Sequence, residues 1–100
     1  MIYIFSAIFL YIFFGLMLYI LQRRILFNTS GYPGKPSDYG LNLTKEIQIL
    51  TEDKINLLSW YHKSNEKLPL LIYLHGNSFN IGDRAYRIKK YIDKNWNVLI

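Results

Sequence analysis

Leu68 to Asn80 reads LPLLIYLHGNSFN, an apolar run that breaks abruptly into a polar loop with a glycine in its second position. Five of the seven residues from Leu68 to Leu74 are Leu or Ile. Pro69 stands near the start of the run, where a missing N–H does least harm to a strand ladder. The pattern predicts a buried strand that delivers a loop. His75, Gly76 and Asn77 then fall at the carboxyl end of that strand, the edge where open α/β sheets keep their ligand sites.

Downstream of this stretch the period changes. From Asp83, Ala85, Ile88 and Ile92 recur at helical spacing, extended backwards by Ile81, while Arg84, Arg87, Lys90, Asp93 and Lys94 stay off the stripe. Asp83 suits the amino end of such a helix and Lys89, Lys90 and Lys94 its carboxyl end, and Asn95 suits the left-handed closing position. Asn97 to Ile100 opens another apolar strand. Strand, helix, strand with a crossover of this length implies a parallel pair and a right-handed βαβ unit.

Upstream, Thr44 to Thr51 alternates, with Ile47 and Ile49 on one face and Glu46 and Gln48 on the other, as a half-buried strand does. Thr51 to Lys54 is polar enough to turn, and Ile55 to His62, INLLSWYH, makes a hairpin partner. Ser64 to Lys67 is the next turn. Asn28 to Gly40, NTSGYPGKPSDYG, packs three glycines, two prolines and two serines into 13 residues. That composition interrupts any helix and supplies no core; it reads as a linker or an ordered loop leading into the domain.

Ile2 to Leu21 is 20 residues without a charge. At ~1.5 Å per residue a helix of that length covers the ~30 Å hydrocarbon core of a bilayer. Tyr3 and Tyr19 lie near its two ends, where amphipathic rings favour the headgroup level. A cleavable signal peptide would carry a basic n-region, a shorter apolar core and a small-residue cleavage site, and none of these is present. A core helix would show a polar face, for which only Ser6 and Gly15 are available. The stretch therefore predicts a retained single-pass anchor in the lipid bilayer. Arg23, Arg24 and Lys35 follow the helix and no basic residue precedes it, which places the C-terminal part in the cytoplasm. The expected organisation is an anchor over 1–27, a linker over 28–43 and an α/β portion over 44–100.

Twelve basic against seven acidic residues give a net charge of +5, scattered along the chain rather than gathered in one block. This is the pattern of a solvated face, and no nucleic-acid partner is expected. With no cysteine, disulfides, Cys-bound zinc and thiol nucleophiles are excluded. His62 and His75 have no third His, Cys or clustered carboxylate beside them, so no metal is expected. No other cofactor is expected. Trp60, Tyr61, Tyr73, Tyr86 and Tyr91 fall at strand and helix spacing, which favours core and rim packing over base stacking.

A strand ending in His-Gly-Asn and feeding a helix offers backbone N–H groups where an anion could sit, and glycine lets a substrate approach the main chain closely. Acyl transfer needs such donors, because negative charge develops on the carbonyl oxygen in the transition state. In α/β-hydrolases one oxyanion donor comes from the loop after the third strand. Asn77 is the first candidate donor and Ser78 the neighbouring alternative, with His75 and Gly76 shaping the loop. Ser78 lies in Gly-Asn-Ser-Phe-Asn, which lacks the final glycine of a nucleophile elbow and follows the wrong strand, so it is not read as a nucleophile. The place of His75 before Gly76 favours a structural role over that of a base.

The ordered set of DYGL at 38–41, TEDKINLLSWYH at 51–62, LPLLIYLHGNSFNIGDR at 68–84 and NWNVLI at 95–100, behind an apolar start, resembles the N-terminal part of membrane-anchored α/β-hydrolases of the Bem46-like serine hydrolase group. The resemblance implies an α/β class chain: a transmembrane helix, then the first strands and the first crossover helix of an incomplete α/β-hydrolase fold. The family's loop resembles HGNAGN, so Ser78 stands where a small residue is usual and Phe79 where a glycine is usual. Lys54 likewise stands where the family's hairpin has glycine. A GxSxG elbow, an acid and a catalytic histidine should come later in the order of the fold, and none lies within residues 1–100. No catalytic residue is therefore assigned in this chain. The resemblance implies ester, thioester or amide hydrolysis at a membrane, with the oxyanion loop alone inactive. The competing expectation is a non-catalytic small membrane protein. In the family's strand order the fourth strand lies between the second and third, which would leave the third as an open edge for a second chain to complete.

Overall fold

The computed structural model describes residues 1–100. Helix α1 spans Ile2–Leu26, five residues beyond the charge-free stretch, and carries Arg23 and Arg24 in its last turn, where cations complement the helix dipole. No residue of α1 is buried. The helix is long and apolar enough to span a membrane, and it stands clear of the rest, stretching the molecule to 73 Å against 29 and 23 Å across.

The remainder is a small mixed sheet with helical segments packed on it, an α/β arrangement. Strand β1 is Lys45–Leu50, β2 is Asn56–His62, β3 is Leu70–Ile72 and β4 is Asn97–Leu99. Their order across the sheet is β1-β2-β4-β3. The β1/β2 and β2/β4 pairs are antiparallel, and β3/β4 is parallel with Leu71 beside Val98. The hairpin between β1 and β2 closes through Thr51, whose N–H donates to the Ile55 carbonyl at 2.9 Å and whose hydroxyl accepts from the Ile55 N–H at 3.0 Å. Lys54 takes φ +64° in that turn.

Between β3 and β4 the chain makes a 3₁₀ turn over Ile81–Arg84 that runs into helix α2, Ala85–Ile92. The helix ends as the sequence implies. Asn95 adopts φ +64°, its N–H donates to the Ile92 carbonyl at 2.9 Å and the Trp96 N–H to the Tyr91 carbonyl at 3.1 Å, the two bonds of a Schellman closure. The expected apolar stripe is the buried one: Ile81, Ala85 and Ile88 are in the core and Ile92 is half-buried against it.

The core lies on one face of the sheet. Trp60, Ile88 and Val98 are its largest fully buried side chains, joined by Leu41, Ile81, Ala85 and Ile100. The register carries this face across the strands, because directly opposed residues share a face. Trp60 is opposite Glu46 and Leu58 opposite Gln48, yet the core does not extend over β1: Glu46 and Gln48 are exposed, and Ile47, on the other side, is the one half-buried residue of the strand. Ile49, Leu57, Leu70 and Ile72 lie on the other face and are 37%, 48%, 44% and 59% exposed.

Two expectations are corrected. The apolar run from Leu68 to Leu74 is not a buried strand. Only Leu70–Ile72 are in regular pairing, extended by the Tyr73 N–H to the Leu99 carbonyl at 2.8 Å, and Leu74 is 88% exposed. The reason is that only one face of the sheet is covered, so the run alternates between a packed side, Leu71 and Tyr73, and a bare one, and β3, paired only with β4, is also an edge. Residues 28–40 do supply buried surface. Pro33 and Pro36 are buried, and the segment is an ordered strap with its own 3₁₀ turn at Pro36–Tyr39, closed by Gly40 at φ +75°. Tyr32 pins the strap to β1 by donating its hydroxyl to Glu46 Oε2 at 2.8 Å, a bond that raises the tyrosine's pKa above its ordinary 10.0.

Candidate functional site

The stretch from His75 to Asn80 leaves the carboxyl end of β3 without regular structure and enters the 3₁₀ turn through a side-chain cap. Asn80 caps the turn. Its Oδ1 accepts from the Gly82 N–H at 3.0 Å, while Asp83 Oδ2 accepts from the Asn80 N–H at 3.1 Å, a reciprocal capping box written in the sequence as N-x-x-D. Asp83 thus holds the amino end of the helical segment as expected, but through Asn80, to which sequence reasoning had given no role.

The second support comes from the strap. The Phe79 N–H donates to the Asn28 carbonyl at 2.7 Å, Asn80 Nδ2 donates to the Gly31 carbonyl at 3.1 Å, and Ser30 Oγ approaches Asp83 Oδ2 at 3.4 Å. Behind them the Tyr39 hydroxyl donates to the Pro33 carbonyl, and its ring lies 5.5 Å from the indole of Trp60. Gly82 sits in the angle between these pieces: a Cβ there would meet Tyr39 Cζ at 2.8 Å and Pro33 Cβ at 3.0 Å. Only hydrogen fits. A Pro/Gly-rich stretch carries no periodicity, so composition alone did not reveal that it docks; the aromatic Tyr39 and the paired prolines were its signal.

The structure brings the four site residues of the sequence reading into one loop. Gly76 is exposed, with nothing within 4 Å of the place a Cβ would occupy. Asn77 is exposed and Ser78 half-buried, and neither amide donates a hydrogen bond within the chain. The Phe79 amide, in contrast, is consumed by Asn28. Phe79 takes φ +66°, a conformation that favours glycine, and its ring is 48% exposed. His75 is half-buried, and its Nδ1 is buried with no hydrogen-bond partner. It faces a cavity of about 330 Å³ between strap and loop, lined among others by Gly31, Pro33, Leu58, Phe79 and Ile81. Chemically, the loop presents two unengaged N–H donors, able to receive a carbonyl oxygen or a small anion, while its flanking residues His75 and Phe79 line a partly apolar hollow.

His62 is remote from this loop in the chain and lines a different cavity, of about 240 Å³, with Leu41, Thr44 and Ile92. Its Nδ1 lies 3.1 Å from Thr44 Oγ1, and burial holds its pKa below the ordinary 6.5. No three His, Cys, Asp or Glu side chains converge in a way that could hold a metal ion. Tyr73, Tyr86 and Tyr91 line a shallow basic cleft with Arg87, Lys90 and Lys94, whereas Trp60 belongs to the core. No family model matches the chain, and no curated protein or solved structure does.

Proposed function

We propose that this chain is the N-terminal part of a membrane-anchored serine hydrolase of the α/β-hydrolase fold, of the Bem46-like group, acting on an ester, thioester or amide. In this reading α1 is the anchor, the sheet faces the cytoplasm, and the loop supplies the Asn77 or Ser78 N–H to a developing oxyanion. The nucleophile, the acid and the histidine belong to residues outside these 100, and the loop alone is inactive. The observation that carries the reading is the sheet: order β1-β2-β4-β3, with β2 antiparallel to both neighbours and β3 parallel to β4, is the order expected from the resemblance. Two details support it. The positions where the family has glycine, Lys54 and Phe79, are two of the three non-glycine residues with positive φ. The bare apolar face of Ile49, Leu57, Leu70 and Ile72 suits a sheet built to carry a second layer.

Native membranes labelled with a fluorophosphonate and captured with an antibody to residues 28–43 test this. A labelled species that carries these residues is expected, and its absence would sink the hydrolase reading. In the labelled enzyme, Asn77→Pro or Ser78→Pro removes one N–H, and the true donor should cost about 10²–10³ in kcat.

The open β3 edge favours a second reading, a non-catalytic membrane protein whose sheet is completed by another chain. Co-purification of one defined partner from membranes, with no fluorophosphonate label, would select it.

A further inference from the structure

The strap ties the loop to the point where α1 leaves the membrane. Asn28 lies two residues past Leu26, the last residue of α1, and its carbonyl accepts from the Phe79 N–H at 2.7 Å. With Ile2 to Leu21 filling the hydrocarbon, the five helical residues after Leu21 and the two non-helical ones that reach Asn28 rise by no more than about 14 Å. Headgroup layers add roughly 5–7 Å on each side of the ~30 Å core. The Phe79 backbone is therefore held within about 10 Å of the headgroup layer, and Arg23 and Arg24 fall below it among the phosphates.

The geometry points to a substrate that is itself in the bilayer: we infer that the cavity between strap and loop receives the acyl chain of a lipid from the membrane that holds α1. This deepens the hydrolase reading and rests on it for the chemistry, though not for the binding. Three observations converge. The cavity's walls come from the strap that follows α1, Thr29, Gly31 and Pro33, from the loop region, His75, Phe79, Asn80 and Ile81, and from Leu58, so the segment leaving the anchor builds part of the pocket. Its volume of about 330 Å³ is in the range of small-ligand pockets, and Leu58, Pro33, Phe79 and Ile81 make its lining partly apolar beside the polar Thr29, His75 and Asn80. The loop's own rim is apolar, with Leu74 88% and Phe79 48% exposed, surface that is costly in water and at ease against lipid. The unengaged amides of Asn77 and Ser78 belong to the same loop, between the cavity-lining His75 and Phe79 in sequence.

The absence of cysteine makes the test clean, because a single introduced thiol is the only one to label. The full chain is reconstituted in phosphatidylcholine vesicles with an environment-sensitive fluorophore on Phe79→Cys, on Leu74→Cys or on Lys54→Cys in the distant hairpin turn. Headgroup-spin-labelled phosphatidylcholine should quench the probes at 79 and 74 several-fold more than the probe at 54; equal quenching at all three overturns the inference. In the second arm, unlabelled chain is irradiated in vesicles containing phosphatidylcholine with a diazirine in one acyl chain. Adducts are expected on residues 29–33 and 74–81, and should be lost several-fold in Ser30→Ala and in Asn80→Ser, which keeps a cap but cannot reach Gly31. Adducts confined to α1, or equal loop labelling by a water-soluble diazirine ester, overturn it. Neither arm reads hydrolysis, so failure here leaves the fluorophosphonate result standing, and failure of that result leaves the lipid contact standing.

Discussion

Lys54, Phe79 and Asn95 are the three non-glycine residues held at positive φ, and they are not equivalent. Asparagine tolerates the left-handed region through its short polar side chain, whereas lysine and phenylalanine pay about 1–2 kcal/mol for it. Lys54 is exposed and its side chain makes no hydrogen bond or ion pair, so Lys54→Gly should raise stability by about 1 kcal/mol, whereas Asn95→Gly should change it little. Urea midpoints of the detergent-solubilised chain decide this, and a lower midpoint for Lys54→Gly would contradict the strain argument. His62 gives a pH signature. Its folded pKa lies below the unfolded 6.5, so the fold favours the neutral ring. Stability is then full above 6.5 and falls as pH drops from 6.5 towards the folded pKa. The fall in urea midpoint over that window should be absent in His62→Gln. The candidate donors Asn77 and Ser78 were legible from their place after a strand, but the engagement of the Phe79 amide by Asn28 was not, because that bond joins residues 51 apart in sequence.

At the scale of elements, periodicity carried the helices and the hairpin. Ile81, Ala85, Ile88 and Ile92 recur as a helix must, and in β1 Ile47 is the one residue that is half-buried, with Glu46 and Gln48 exposed. The turn before β3 had an anchor that no local pattern announces. Asn97, buried at the start of β4, accepts at Oδ1 from the Ser64 and Asn65 N–H groups at 2.7 and 3.0 Å, and donates from Nδ2 to the Asn65 and Leu68 carbonyls at 2.6 and 2.8 Å. All four hydrogen-bonding positions of the amide are used. Asn97→Ala should leave these backbone groups without partners and cost about 1–3 kcal/mol. Hydrogen exchange should show protection lost first at the Ser64 and Asn65 amides, the two that donate to Asn97. The two exposed ion pairs, Lys63 with Glu66 and Lys89 with Asp93, should by comparison contribute less than about 1 kcal/mol each.

At the scale of the molecule, fourteen buried residues and a single covered face make a thin core, and the apolar edge at β3 is open. Such an edge invites pairing with another strand. The detergent-solubilised chain is expected to self-associate in sedimentation velocity, and Ile72→Lys should shift it towards monomer without unfolding it, since Ile72 is 59% exposed and outside the core. An unchanged distribution would mean that β3 is not the contact. Composition and periodicity by themselves determined the membrane-length helix, the hairpin, the crossover helix and the polar loop that follows Leu74, because each is a local pattern read within one or two turns of chain. Tertiary structure decided the rest: that the glycine- and proline-rich strap docks, that it fastens the loop close to the C-terminal end of α1, and that the apolar stretch from Leu68 to Leu74 is an edge strand with one bare side. Those outcomes depend on which distant segments meet, and hydrophobicity names the surfaces that must be covered without naming what covers them.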